Sequence, residues 1–272
     1  ANMHQGWPKF VQRMVQAAAW GGVAVAMWGP VVASVPLVAG VGVGAIINVT
    51  VATDYPFGDD ATVTVSVPSG VGAAIPVALR VPSWAAAATV TVNGGSPVTP
   101  PAGAFYNVTV AAGTTATIAV AFNPTIRVDS WVNGSVAVHR GALMYSLLMG
   151  ENFTTLATYA YQSADYQVLP TASVPWNVAL VADPANPGAS LTFQRVSSPS
   201  PVPFDHKAIP VVITGTARTV SAWTAFEGAA TAPPASPIDC SVSGACGPVI
   251  PITLVPYGST HLRISEFPYT AA

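Results

Sequence analysis

Apolar and polar residues alternate strictly over Asp60-Ala-Thr-Val-Thr-Val-Ser-Val67, with Val63, Val65 and Val67 on one face and Thr62, Thr64 and Ser66 on the other. A period of two is that of an antiparallel strand with one face buried. Comparable runs recur at residues 23–28, 45–52, 77–81, 89–92, 106–110, 115–122, 135–148, 178–181, 190–195, 211–214, 220–226 and 261–267. Turn formers such as Asn93-Gly94-Gly95, Ala112-Gly113 and Asn133-Gly134 separate them. The 23 glycines and 26 prolines break the chain too often for long helices. Many short strands without intervening helices give a sandwich or barrel, not a parallel α/β sheet.

One helix is predicted, over residues 8–20. Pro8 suits a first helical turn, Phe10, Met14 and Ala17 or Ala18 recur at helical spacing, and Gly21-Gly22 ends the pattern. Its apolar face needs partners that the strand-rich remainder does not supply, so these are expected upstream of Ala1. The expected architecture is all-β: two antiparallel β-sandwich modules, residues 23–130 and 131–272, preceded by a terminal helix in residues 1–22.

Charge excludes several functions. Only 9 Lys+Arg and 11 Asp+Glu occur, 7% of the chain against about one quarter in ordinary globular domains. With 51% hydrophobic residues, disorder is excluded. Two lysines and scattered arginines at net charge -2 give no basic patch for nucleic acid. Residues 14–53 carry no charge, yet Gly21-Gly22, Gly29-Pro30, Pro36, Gly40, Gly42 and Gly44 interrupt them too often for a membrane-spanning helix of about 20 residues.

Local chemistry is sparse. No HExxH, GxSxG or P-loop occurs. Asp59-Asp60 reads as a solvated turn before a strand, His139-Arg140-Gly141 as a polar strand end, and Asp205-His206-Lys207 as an exposed segment after a Pro-rich loop. Cys240 and Cys246 lack zinc spacing and form either a local disulfide or two free thiols. Four sequons, at Asn48, Asn107, Asn133 and Asn152, are candidate N-glycosylation sites and lean toward secretion.

Several blocks go further: NMHQGWPKF at 2–10, TDYPFGDDATVTVSV at 53–67, ALRVPSW at 78–84 with TVNG at 91–94, VAVHRGALMYSL at 136–147, GENF at 150–153, DYQVLPTASVPWNVAL at 165–180 and LVPYGSTHLRISEFP at 254–268. In this order the chain resembles the C-terminal part of the β-L-arabinofuranosidase-type proteins of glycoside hydrolase family 127. The loop holding Cys240 and Cys246 departs from that pattern.

The resemblance implies a parent glycoside hydrolase with an upstream (α/α)-barrel catalytic domain, of which residues 1–22 would be the last helix, and a carbohydrate substrate. It implies a zinc ion held in the parent by one Glu and three Cys, one of them the nucleophile, whose thiolate attacks the anomeric carbon. The nucleophile belongs to a Cys-Cys-x-x-Asn motif whose last two positions would be Ala1-Asn2, so both cysteines would precede Ala1. No catalytic or metal-binding residue then falls in this chain, no cofactor is expected in it, and it would be catalytically incomplete alone. Asn2 and His4 would line the sugar pocket beside the motif. The competing expectation is a free-standing carbohydrate-binding or structural β-sandwich module, using aromatic residues such as Trp84, Trp131, Trp176 or Trp223.

Overall fold

The computed structural model describes residues 3–198 and 200–271, apart from the side chains of Met3 and Gln162. It is all-β apart from one α-helix and a few short 3-10 turns. Two compact units divide between Pro124 and Thr125.

The first unit begins with α1 (Met3–Gln12) and continues with β1 (Val15–Ala18), β2 (Gly22–Val25), β3 (Val31–Pro36), β4 (Ile46–Ala52), β5 (Asp60–Ser66), β6 (Ile75–Arg80), β7 (Thr89–Val92), β8 (Phe105–Val110) and β9 (Thr115–Ala121). These form a four-stranded sheet in the order β1-β2-β6-β8 and a five-stranded sheet in the order β3-β4-β5-β9-β7. Pairing is antiparallel except between β2 and β6.

The sequence alternation translates directly into burial. In the five-stranded sheet Val49 lies opposite Val65, Val51 opposite Val63, and Val63 opposite Ile118, all of them buried. The threonines between them, Thr50 and Thr64, pair on the other face. Val23, Val25, Val77 and Leu79 of the four-stranded sheet join the same core. Each fully buried aliphatic side chain contributes about 1.5–3 kcal/mol. Phe122 closes one end, with the rings of Trp28, Tyr55 and Trp84 at 5.1, 5.8 and 5.8 Å. Trp28 Nε1 donates to Arg80 O at 2.9 Å, satisfying its one polar atom.

The helix departs from its expected span. It ends at Gln12 and contains Pro8 in its interior, while Val15–Ala18 is a strand. Gly21-Gly22, expected to stop a helix, turns a hairpin: Gly21 sits at φ +88° and donates to Ala18 O. Val15 then faces Val25 across the pair and enters the core. A four-residue strand shows too few alternations to outweigh a helical reading of Phe10, Met14 and Ala17. Residues 15–22 thus belong to the first β unit.

The second unit contains β10 (Ile126–Ser130), β11 (Val136–Arg140), β12 (Leu143–Leu147), β13 (Glu151–Thr158), β14 (Ala164–Pro170), β15 (Val178–Val181), β16 (Thr192–Arg195), β17 (Val211–Thr219), β18 (Ala225–Phe226), β19 (Ala229–Ala230), β20 (Val249–Pro256), β21 (Glu266–Phe267) and β22 (Tyr269–Thr270). A nine-stranded sheet runs β10-β11-β12-β20-β17-β15-β22, with β16 on β17 and β21 on β11. Its pairs are antiparallel except β15 with β22. The hairpins β13-β14 and β18-β19 stand outside it. Because β10 pairs along its length with β11, residues 126–130 belong here and the expected boundary at 130 moves upstream.

Three more expectations change. The run 135–148 is a hairpin: Gly141, at φ +59°, turns β11 into β12. Residues 220–226 are mostly not a strand, because the Asn177 side-chain amide donates to Val220 O and Trp223 O and holds that segment as a turn. Residues 261–267 are irregular until β21, because two of their backbone N–H groups are taken by a carboxylate.

Candidate functional site

Asn2 lies outside the described residues. His4 is exposed on α1, beside exposed Trp7 and Phe10, whose rings stack at 5.5 Å. A groove of about 530 Å³ runs between residues 11–17 and 31–38, and His4 is not among its lining residues. Asn48, Asn107, Asn133 and Asn152 are all exposed. Asn133 also donates through Nδ2 to Pro233 O at 2.8 Å.

Cys240 and Cys246 are joined in a disulfide. The loop is tied to β17 by Gly247 N donating to Thr219 O and by the Arg218 guanidinium donating to Gly247 O. Asp60 opens β5, with its carbonyl accepting from Thr53 Oγ1, so Asp59-Asp60 serves the strand entry. At the end of β11, His139 Nε2 lies 3.2 Å from Asp129 Oδ2. Burial, then the Arg127 charge, push the His139 imidazole below its ordinary pKa, against the opposing pull of Asp129. Arg140 spreads over the Phe193 ring at 3.5 Å. Of the four candidate tryptophans, Trp223 is buried, Trp84 and Trp176 are partly buried against other rings, and Trp131 is exposed.

The densest group of chemically active side chains lies in the second unit and joins three segments far apart in sequence. At the start of β13 the Glu151 carboxylate, only 10% exposed, reaches the segment after β20. Its Oε1 accepts from the backbone N–H groups of His261 at 2.7 Å and Leu262 at 2.9 Å, while Oε2 lies 2.9 Å from His261 Nδ1. Burial pushes the Glu151 carboxyl up, but the two backbone donors and the imidazole outweigh it and hold the group below the ordinary carboxylate range. The His261 ring stands edge-on to Phe153 at 5.1 Å and to His206 at 5.1 Å.

The third segment follows β16. Asp205 Oδ1 accepts from Lys207 N at 3.0 Å and lies 3.5 Å from His206 Nδ1. Phe204 lies over Gly258, where a Cβ would meet its ring at 2.7 Å. Tyr257 carries the Arg263 guanidinium 4.6 Å above its ring, and Arg263 Nε donates to Tyr257 O. Tyr166 of β14 meets Phe153 edge-on at 5.9 Å. Two of the four histidines of a charge-poor chain thus share one aromatic surface, each with Nδ1 facing a carboxylate. GENF, DHK and THLR each held part of this group, but no local spacing joined them.

Among the described residues no three His, Cys, Asp or Glu side chains converge on a metal position. The two cysteines, bonded to each other, offer no thiolate. The residues of this chain therefore do not fit the one-Glu, three-Cys zinc set of the resemblance. No described helix is long and apolar enough to cross a membrane.

Residues 23–124 match the family described as "Beta-L-arabinofuranosidase, GH127 middle domain". No curated protein matches the chain. Several solved structures share its fold, three of them as follows. A GH127 β-L-arabinofuranosidase from Geobacillus stearothermophilus T6, Ara127N-Se, is 19% identical with a TM-score of 0.56, the match covering 94% of this chain and 34% of that one. The GH127 β-arabinofuranosidase BT3674 is 15% identical with a TM-score of 0.57, covering 92% and 35%. A structure described as a glycoside hydrolase is 17% identical with a TM-score of 0.53, covering 92% and 36%. The chain thus spans about a third of the length of the structures it matches. The resemblance drawn from the sequence blocks agrees with this, and residues 23–124 are similar to the middle domain of glycoside hydrolase family 127.

Proposed function

We propose that the chain is the C-terminal β-sandwich region of a glycoside hydrolase of the zinc- and cysteine-dependent β-L-arabinofuranosidase type. It supports hydrolysis of arabinofuranose-containing glycans, while an (α/α)-barrel domain outside these residues supplies the chemistry. The match of residues 23–124 to the GH127 middle domain carries this reading. The share of the solved enzymes that the chain spans, about a third, is consistent with a division of labour between domains. Zinc and the nucleophilic thiolate belong to the barrel. The chain alone is catalytically incomplete, since its two cysteines are tied to each other.

Within the parent, α1 is the end of the helical domain, and Asn2 and His4 stand beside the catalytic motif. The exposed sequon asparagines and the disulfide support a secreted glycoprotein. A second reading, a free-standing carbohydrate-binding module, draws support from exposed Trp131 and from the half-exposed aromatic surface around Phe153. The coding sequence preceding Ala1 separates the two. A Cys-Cys pair immediately upstream is expected for the enzyme, whereas a start codon and signal peptide there would establish the module instead.

A further inference from the structure

We propose that the surface where Phe153, Tyr166, His206 and His261 meet is a saccharide-binding site of the second unit, taking a neutral sugar ring of a glycan chain. The choice of saccharide rests on the reading of the parent as a glycan-degrading enzyme, and the site itself rests on geometry.

The rings are held and half open. Phe153 and Tyr166 are 44% and 53% exposed, and the His206 and His261 side chains 41% and 47%, so each ring leaves part of its surface to solvent. The electron-rich face of an aromatic ring attracts groups carrying partial positive charge, such as the C–H bonds of a sugar. Glu151 is not free to bind: its oxygens are engaged by two backbone N–H groups and by His261 Nδ1. It instead fixes the imidazole. With Nδ1 held against the carboxylate at 2.9 Å, the ring turns Nε2 away from Glu151. Asp205 Oδ1 faces His206 Nδ1 at the longer distance of 3.5 Å. The Tyr166 phenol both donates and accepts, as a sugar hydroxyl does.

Charge selects against other ligands. Asp205 lies beside Lys207 in one segment, Glu151 is held by the segment that carries Arg263, and Asp165 adjoins Tyr166, so no excess of positive charge favours an anion. The interleaving of polar groups with rings on an open surface suits a polyol better than an apolar peptide.

The test is NMR of the isotopically labelled 272-residue chain, titrated with arabino-oligosaccharides and, separately, with xylo-oligosaccharides. Saturable shifts are expected at the His206 and His261 imidazoles and at Tyr166, with binding about tenfold weaker in Tyr166→Ala and in His206→Ala. Phe226→Ala, an exposed ring outside the cluster, leaves binding unchanged. Unchanged amide spectra elsewhere in each variant show that it is folded. Absence of saturation with both sugars, shifts insensitive to both variants, or shifts arising from self-association without sugar overturns the site. Hydrolysis of an aryl arabinofuranoside by the full-length parent is assayed in parallel. An active parent with no binding here sinks this site alone. Binding of xylo- but not arabino-oligosaccharide, with an inactive parent, keeps the site and sinks the arabinofuranosidase reading.

Discussion

Replacing Glu151 by Ala removes the acceptor for two backbone N–H groups, those of His261 and Leu262, together with the partner of the His261 imidazole. A hydrogen bond to a charged acceptor is worth about 1.5–3 kcal/mol, and of the two the Leu262 bond is part-buried and the His261 bond exposed. The Glu151 side chain is 10% exposed and that of His261 47%, so the backbone donors carry most of the loss while the imidazole turns to water. A destabilisation of about 2–4 kcal/mol follows, large against a typical total of about 5–15. Urea unfolding measures it, and hydrogen exchange at the His261 and Leu262 amides locates it. Glu151→Gln keeps one carbonyl acceptor and should lose about half as much. Because the folded-state carboxyl is held below its ordinary value, the stabilisation is present above the unfolded pKa and is lost as pH falls through the folded one. The gap between wild type and Glu151→Ala should therefore close in acid. An Ala variant within about 0.5 kcal/mol of wild type at neutral pH, with equally protected amides, would refute the assignment of Glu151 as the anchor of this segment.

Two further outcomes are expected. Cys240→Ser opens a loop of sequence separation 6 and should cost about 2 kcal/mol by the loop-entropy argument, read as a lower urea midpoint, while the fold survives; failure to fold would mean that the loop organises more than its own turn. Removing residues 1–12 strips α1, a helix of 10 residues whose Trp7 and Phe10 are exposed, and should leave the first unit intact by amide exchange; removing residues 1–18 also takes β1 and the buried Val15 and should destabilise it measurably, and equal effects of the two truncations would place the helix in the β core after all.

What the sequence made legible follows from where its signals are local. The alternation in 60–67 and 115–122 is read on one strand at a time, and β5 and β9 occur at those positions. The hairpin β13-β14 was not legible, because neither of its faces is buried: Phe153, Leu156, Tyr166 and Leu169 all remain exposed, so no period of two had to be kept. β1 was hidden by its length and by apolar residues that fit a helix as well as a strand. The cluster around His261 was the least legible. Glu151 and His261 stand 110 positions apart, and a histidine in a polar segment looks alike whether it meets solvent or an edge-on ring. The family blocks held two of the three segments, those of Glu151 and His261, but not Asp205-His206-Lys207, and did not indicate that they touch.

The central claim is that the chemistry of the parent lies outside these residues. The most direct measurement is turnover of an aryl β-L-arabinofuranoside by the purified 272-residue chain, with its zinc content determined on the same sample. No turnover and no stoichiometric zinc are predicted. Zinc-dependent hydrolysis by this chain alone would contradict the account, because neither the bonded Cys240 and Cys246 nor any described cluster of His, Asp and Glu could supply the ligands it requires.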